Sequence, residues 1–116
     1  MEYNSKIINE DIFEGNYFGS GDLILSGTFK GAIKIDKLII NENASFIGNI
    51  TAKEIIVEGY IKADIATEKL HILSNGKVEG DLIYRTLKID EGGYLNSSKV
   101  IKMSDQSNLK SKSLKN

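Results

Sequence analysis

A chain of 116 residues with 41% hydrophobic and 27% charged residues is the size of one domain with a hydrophobic core. Its formal net charge of -1 gives no general affinity for nucleic acid, and the lack of cysteine excludes disulfides and thiolate metal sites. There is no run of 18 apolar residues and no signal-peptide pattern, so we expect a cytoplasmic protein.

The chain begins with the polar and acidic residues 1–11, which we predict to be an N-terminal tail. From residue 12 onwards, apolar residues alternate with polar ones instead of recurring every three or four positions, which favours strands over helices. We therefore predict a single all-β domain over residues 12–103. The basic segment 104–116 ("SDQSNLKSKSLKN") is predicted to be a disordered C-terminal tail.

A repeat of 15 to 17 residues fills the predicted domain. A small residue followed by apolar, small and apolar residues at alternate positions recurs in 27–33, 44–50, 59–65 and 76–82, and more weakly in 93–99. A second apolar pair follows each of the first four copies: Leu38 and Ile40, Ile55 and Val57, Leu70 and Ile72, and Leu87 and Ile89. Such self-similarity is typical of solenoid proteins.

The length of the repeat suits one coil of a parallel β-solenoid, in which short strands pair with the coils before and after them at a spacing of about 4.8 Å. About six coils would fit into residues 12–102. One inward column would then contain Phe29, Phe46, Ile61, Val78 and Leu95. A meandering β-sandwich or barrel is the alternative, but neither requires the same order of residues in every segment.

Two series of small residues accompany this column. Gly31, Gly48, Ala63 and Gly80 are expected to stack where a narrow core leaves little room. A second series is expected at corners that need unusual backbone dihedrals: Gly27, Gly59, Gly76 and Gly93.

Charged residues give an independent indication of the register. Two aligned positions alternate in sign from coil to coil, as stacked side chains would favour. These two series are Asp36, Lys53, Glu68 and Arg85, and Asp22, Lys37, Glu54 and Lys69.

The series "GDLILSGTFKGAI" and "GKVEGDLIY…LKIDEGGYL" resembles the bactofilins, a family of bacterial polymer-forming cytoskeletal proteins. The resemblance implies a right-handed, three-faced β-helix that forms filaments by joining coil ends without a nucleotide. It also implies a scaffold for cell shape, for polar organisation or for cell-wall enzymes. Two residues depart from the family pattern: Ser97 replaces a glycine, and Lys99 is expected in an inward column.

The end coils of a solenoid expose unpaired backbone and an open core, and no helical cap is apparent in the sequence. We therefore expect a polymer interface between copies of the chain, with ordinary core filling as the alternative for each residue. The candidate interface residues are Phe13, Tyr17 and Phe18 at one end, and Tyr94, Leu95, Val100, Ile101 and Met103 at the other.

A second candidate surface is a stripe of outward-pointing isoleucines, Ile24, Ile39 and Ile56, continued by His71 and Lys88. Such a patch would pair filaments side by side or hold a partner protein. The alternative function is accordingly a non-polymerising β-helical adaptor that uses this stripe. If a tail covers this face, or if the predicted register is wrong by one residue, the three isoleucines do not form an exposed patch.

Neither a cofactor nor an enzymatic activity is expected. His71 is the sole histidine and has no nucleophile at a fixed spacing, and no glycine-rich phosphate loop is present. Asp64 and Asp81 stack beside Asn49, but two solvated aspartates are the simpler interpretation than a metal site. The tail lysines Lys110, Lys112 and Lys115 make only a weak patch for a membrane surface, so peripheral membrane contact is left open.

Overall fold

The computed structural model of the protein describes residues 5–8 and 12–103. All recorded strand pairs in this part of the chain are parallel. In chain order the strands are β1 (Ser5–Ile8), β2 (Ile12–Phe18), β3 (Asp22–Leu25), β4 (Thr28–Ile40), β5 (Ser45–Val57), β6 (Tyr60–Ile72), β7 (Lys77–Glu79), β8 (Leu82–Tyr84), β9 (Thr86–Ile89), β10 (Tyr94–Asn96) and β11 (Val100–Lys102).

Each of the three long strands, β4, β5 and β6, has 13 residues and forms most of one coil, which passes over three faces of a rod. Strand β4 pairs with β5, and β5 with β6, along almost their whole length. The shorter strands add coils on both sides, so the rod contains about five turns. The predicted all-β parallel solenoid is confirmed. A sandwich or barrel built from meandering strands is excluded, because such strands would pair antiparallel.

The core is a set of inward columns that run along the rod. The first column has the predicted register, and β2 extends it by one further aromatic ring, Phe13. The Phe13 and Phe29 rings stack with centroids 4.7 Å apart, and the Phe29 and Phe46 rings at 4.9 Å. From one end to the other the column contains Phe13, Phe29, Phe46, Ile61, Val78 and Leu95.

The two repeat lengths arise at one corner of the coil. Four residues, 41–44, connect β4 to β5, and another four, 73–76, connect β6 to β7. Both form tight turns, in which the N–H of Ala44 donates to the Asn41 carbonyl at 2.9 Å and the N–H of Gly76 donates to the Leu73 carbonyl at 2.8 Å. Only residues 58 and 59 connect β5 to β6. The coil with the short corner therefore has 15 residues where its neighbours have 17.

The glycines have different roles from those predicted. Gly31 and Gly48, which were expected to face a narrow core, have φ values of +140° and +139°. A Cβ atom on Gly48 would overlap the carbonyl oxygen of Gly31 in the preceding coil. The sharp bend between two faces requires glycine there because of its backbone. The predicted corner series was wrong about dihedrals, since none of its four members has a positive φ: Gly27, Gly59, Gly76 and Gly93.

The last coil corrects a further prediction. Lys99 was expected in an inward column opposite Leu82, but the partner of Leu82 is Val100, and Lys99 is exposed. Ser97 occupies the position where earlier coils bend at glycine. Its Oγ donates to the Lys99 carbonyl at 2.8 Å and accepts from the Lys99 N–H at 3.2 Å. Between Leu95 and Val100 the chain has one residue more than between Val78 and Leu82, which shifts the strand after this bend by one position.

Strand β1 lies inside the segment predicted to be an N-terminal tail. Its four residues pair with β3, so at these positions the chain already belongs to the solenoid. The charge series Asp22, Lys37, Glu54 and Lys69 has the predicted register. In the other series the Arg85 N–H donates to the Glu68 carbonyl at 3.1 Å. In the same series Lys53 Nζ lies 3.9 Å from Asp36 Oδ1. The predicted C-terminal tail lies outside the described residues, and the domain limits at residues 12 and 103 stay predictions.

Candidate polymer interface

Both ends of the rod present strand edges that have no partner among the described residues. At the N-terminal end, β1 pairs only with β3 and β2 only with β4. At the C-terminal end, β9 pairs only with β6, β10 with β7 and β11 with β8. Each of these strands therefore has one row of backbone N–H and C=O groups available to a further strand.

At the N-terminal end, two of the three predicted residues lie at the open end of the core. Phe13 is half-buried, with one ring face on Phe29. Tyr17 is also half-buried and lies in the column of Ile33, which is buried. Phe18 follows Tyr17 and so points to the opposite, outer side, where 68% of it is exposed.

At the C-terminal end, Leu95 and Val100 terminate inward columns. Leu95 is half-buried beside Val78, and Val100 lies beside buried Leu82 but is itself 45% exposed. The last residue of each column is more exposed because, among the described residues, no further coil covers it. The other candidates lie around this end: Tyr94 and Ile101 on the outer surface, and half-buried Met103, whose N–H donates to the Tyr84 carbonyl.

Two further apolar residues at the C-terminal end of the rod were not predicted as interface residues. Leu87 and Ile89 form the last copy of the second apolar pair and stack on Leu70 and Ile72. Ile72 is fully buried, whereas Ile89 is 42% exposed. The repeat itself carried the signal, since the final copy of any inward pair must lie at the open end. Two exposed isoleucines that point outward were also missed, Ile12 and Ile83.

Tyr94 has a defined environment on the outer surface next to this end. The Lys77 ammonium lies 5.4 Å from the centroid of the Tyr94 ring and 5.9 Å from that of Tyr60, within the range of cation–π attraction. The Tyr60 hydroxyl donates to Glu79 Oε1 at 2.9 Å, and this hydrogen bond raises the pKa of Tyr60. Tyr94 therefore lies on a lateral surface of the rod as well as next to its open end.

The predicted isoleucine stripe has the expected register and direction. Ile24, Ile39 and Ile56 pair in succession, and each lies between two fully buried neighbours in its strand. All three are half-buried and not fully exposed. The stripe continues to His71, whose Nε2 lies 2.9 Å from Asp90 Oδ1 in the next corner.

No group of three or more histidine, cysteine or acidic side chains within the described ranges could hold a metal ion. Asp64 follows Asn49 in register as predicted, and the Asp81 carboxylate accepts a hydrogen bond from Ser98 Oγ at 3.3 Å. Among residues 5–8 and 12–103, no helix has the length and apolarity needed to span a bilayer. The best-defined feature of the described chain is thus a rod with two open ends and one apolar stripe.

Comparisons with known proteins agree with this geometry. The sequence matches the family model "Bactofilin", described as polymer-forming cytoskeletal, over residues 5–99. The fold is similar to that of a chain in a cryo-EM reconstruction of Thermus thermophilus bactofilin double helical filaments. The TM-score is 0.77 at 16% sequence identity, and the match covers 85% of this chain and 99% of that chain. No curated protein matches the chain significantly.

Proposed function

The chain belongs to the bactofilin family of polymer-forming cytoskeletal proteins, and we propose that its rods polymerise through contacts between their end coils, without a nucleotide. The observation that carries this proposal is the state of the inward columns at both ends. Phe13 and Leu95 terminate the same column, and both are only half-buried. A neighbouring rod would complete the burial of both residues.

Two physical terms favour such a contact. The first is the hydrophobic effect, which contributes about 25 cal/mol for each Å² of apolar surface removed from water. The second is the pairing of strand edges, because each edge strand can form a ladder of hydrogen bonds with another coil. Neither term involves a phosphate or a metal ion, so polymerisation of this kind needs no bound nucleotide.

The role of the polymer is a further part of the proposal. A stiff rod of repeated subunits can act as a cytoplasmic scaffold that supports cell shape or localises cell-wall or polar proteins. Its partners would be other copies of the chain and proteins that dock on the filament. A structural role is also consistent with the site, which offers apolar residues and backbone edges. The non-polymerising adaptor is disfavoured by the polymer-forming character of the family.

Leu95→Arg tests the end contact directly. Leu95 lies at the open end of the first column, where a charged guanidinium would oppose the burial that a second rod requires. Because the residue is already half-exposed, the variant is expected to fold, with a melting temperature close to that of the wild type. Filaments seen by negative-stain electron microscopy should be replaced by monomers or dimers.

The matched control is Asn96→Arg, on the same strand. Asn96 is exposed and points outward, so the new charge stays in water and filaments should persist. Filaments of normal length from Leu95→Arg would contradict an end contact at this column. Loss of filaments in both variants would show that a positive charge anywhere on β10 prevents assembly, whether or not it lies at the open end of the core.

A further inference from the structure

The face that carries the isoleucine stripe has a regular pattern of charge beside it. Six strands each contribute one row of this face: β1, β3, β4, β5, β6 and β9. Two residues before the stripe position, the four central rows carry in turn Asp22, Lys37, Glu54 and Lys69. The signs therefore run negative, positive, negative, positive along the rod.

These charges are available to a partner. Within the part of the chain that the structure describes, none of the four side chains forms an ion pair or a side-chain hydrogen bond. In these four central rows the stripe position is isoleucine three times and then His71. The face is a narrow apolar strip with a row of alternating charges along one side.

An alternating series of four charges is complementary to itself when it is reversed. We propose that this face pairs with the same face of a second copy, with the two rods antiparallel and a twofold axis between the second and third of the four central rows. Asp22 then faces Lys69 of the second copy. Lys37 faces Glu54 of the second copy in the same way, and the twofold axis repeats both pairs, so every charge in the series meets its opposite. The apolar strips meet beside them, with Ile39 against Ile56 of the second copy.

A parallel arrangement of the same two faces lacks this complementarity. In the parallel arrangement each row faces the same row of the second copy. Each charge then lies opposite the residue that follows the stripe position by two in that row. Those positions carry Ser26, Asn41, Glu58 and Leu73, which are stacked in successive rows. Glu54 would face Glu58, and Lys37 and Lys69 would face an amide and a leucine. The charge pattern therefore selects the antiparallel pairing.

The size of the contact links it to the polymer. Six rows at about 4.8 Å and four residues at about 3.3 Å give roughly 380 Å² per copy. A stable interface needs about 800 Å² per partner, so two isolated rods would pair only weakly. Rods already joined end to end would add such contacts along their length, and pairing would become strong. This inference rests on the proposed polymerisation, and it identifies the face through which two filaments associate.

A charge reversal and a charge exchange test the pairing. Lys37→Glu places two glutamates opposite each other at each of two sites across the interface. The double variant Lys37→Glu with Glu54→Lys restores opposite charges at both sites across the twofold axis. Within one rod, each variant creates two pairs of adjacent like charges in the series. Both variants should therefore change the stability of the rod itself to the same extent. Electron microscopy should show paired filaments for the wild type and the exchange variant, and single filaments for Lys37→Glu.

Paired filaments from Lys37→Glu, or single ones from the exchange variant, would overturn the inference. High salt should also separate the wild-type pairs, because the screening length falls to about 3 Å at 1 M. If the wild type forms no filaments, the proposed function is contradicted instead. Disulfide trapping of the two faces then tests the lateral contact by itself.

Covalent trapping uses the lack of cysteine in the chain. In the antiparallel pairing Ile24 faces His71 of the second copy, whereas within one rod the two residues are three rows, about 14 Å, apart. The double variant Ile24→Cys with His71→Cys should form disulfide-linked dimers on mild oxidation, because only the distance between the two copies suits a disulfide. Ile24→Cys alone and His71→Cys alone should form no disulfide-linked dimers. Dimers of Ile24→Cys alone would indicate parallel pairing, and no dimers of the double variant would exclude the contact; either result overturns the inference.

Discussion

Gly48 shows how a single residue controls the shape of the coil. Its φ of +139° and the carbonyl oxygen of Gly31 directly behind it leave no space for a side chain. The bend it forms lets one strand of 13 residues continue over a second face without a break in pairing. The next coil makes the equivalent bend at Ala63, which has no positive φ, so glycine is required at Gly48 and not at every such bend.

Gly48→Ala should therefore destabilise the protein by more than about 3 kcal/mol, from backbone strain and from displacement of the preceding coil. Thermal unfolding followed by circular dichroism measures this loss. Ala63→Gly, at the equivalent bend of the next coil, is the control and should cost only about 0.5–1 kcal/mol. A Gly48→Ala protein as stable as the wild type would contradict the assignment of this bend.

Sequence reasoning at the residue scale succeeded where alternation was the signal. The inward and outward positions of Ile39 and its neighbours follow from a period of two, and the register follows from the repeat. It failed where backbone geometry was the cause, since a small residue in a repeat does not reveal whether a carbonyl or a core side chain excludes the Cβ atom. The shift from Lys99 to Val100 comes from one additional residue in the last bend, which the spacing of the repeat did not reveal.

At the scale of the element, one coil is stable only between two neighbours. Val78 is fully buried and lies between Ile61 and Leu95 in the first column. A carboxylate at this position would be buried without a partner. Because coils stabilise one another through nearest neighbours, the damage would extend to the coils on either side.

We predict that Val78→Asp loses more than about 3 kcal/mol of stability and does not fold at room temperature. Circular dichroism and size-exclusion chromatography check this result. Thr51→Asp, at an exposed position of β5, is the control and should melt within a few degrees of the wild type. A Val78→Asp protein with native circular dichroism would place this residue outside the core.

The middle coils were predictable and the terminal ones were not. Strands β4, β5 and β6 each repeat the full pattern, so alignment of the copies defines all three faces. Strand β1 has no complete copy to align with, and it was assigned to a tail. The interface residues depend on which coil is last, and no repeat unit contains that information.

At the scale of the whole molecule, the rod has open surfaces in two directions. Its ends expose apolar columns and strand edges, which favour growth along the rod axis. Its stripe face is narrow and self-complementary in charge, which favours pairing of two assembled filaments. The two contacts differ in strength and in origin, so end contacts should resist salt while lateral pairs separate.

The central claim is that rods join end to end. Fibre diffraction or cryo-EM power spectra of filaments grown from purified protein, with no nucleotide or metal added, test it most directly. End-to-end stacking places the spacing between strands along the filament axis, so we predict a strong repeat at about 4.8 Å on the meridian. A repeat of about 4.8 Å across the axis, or the absence of filaments without nucleotide, would contradict the claim.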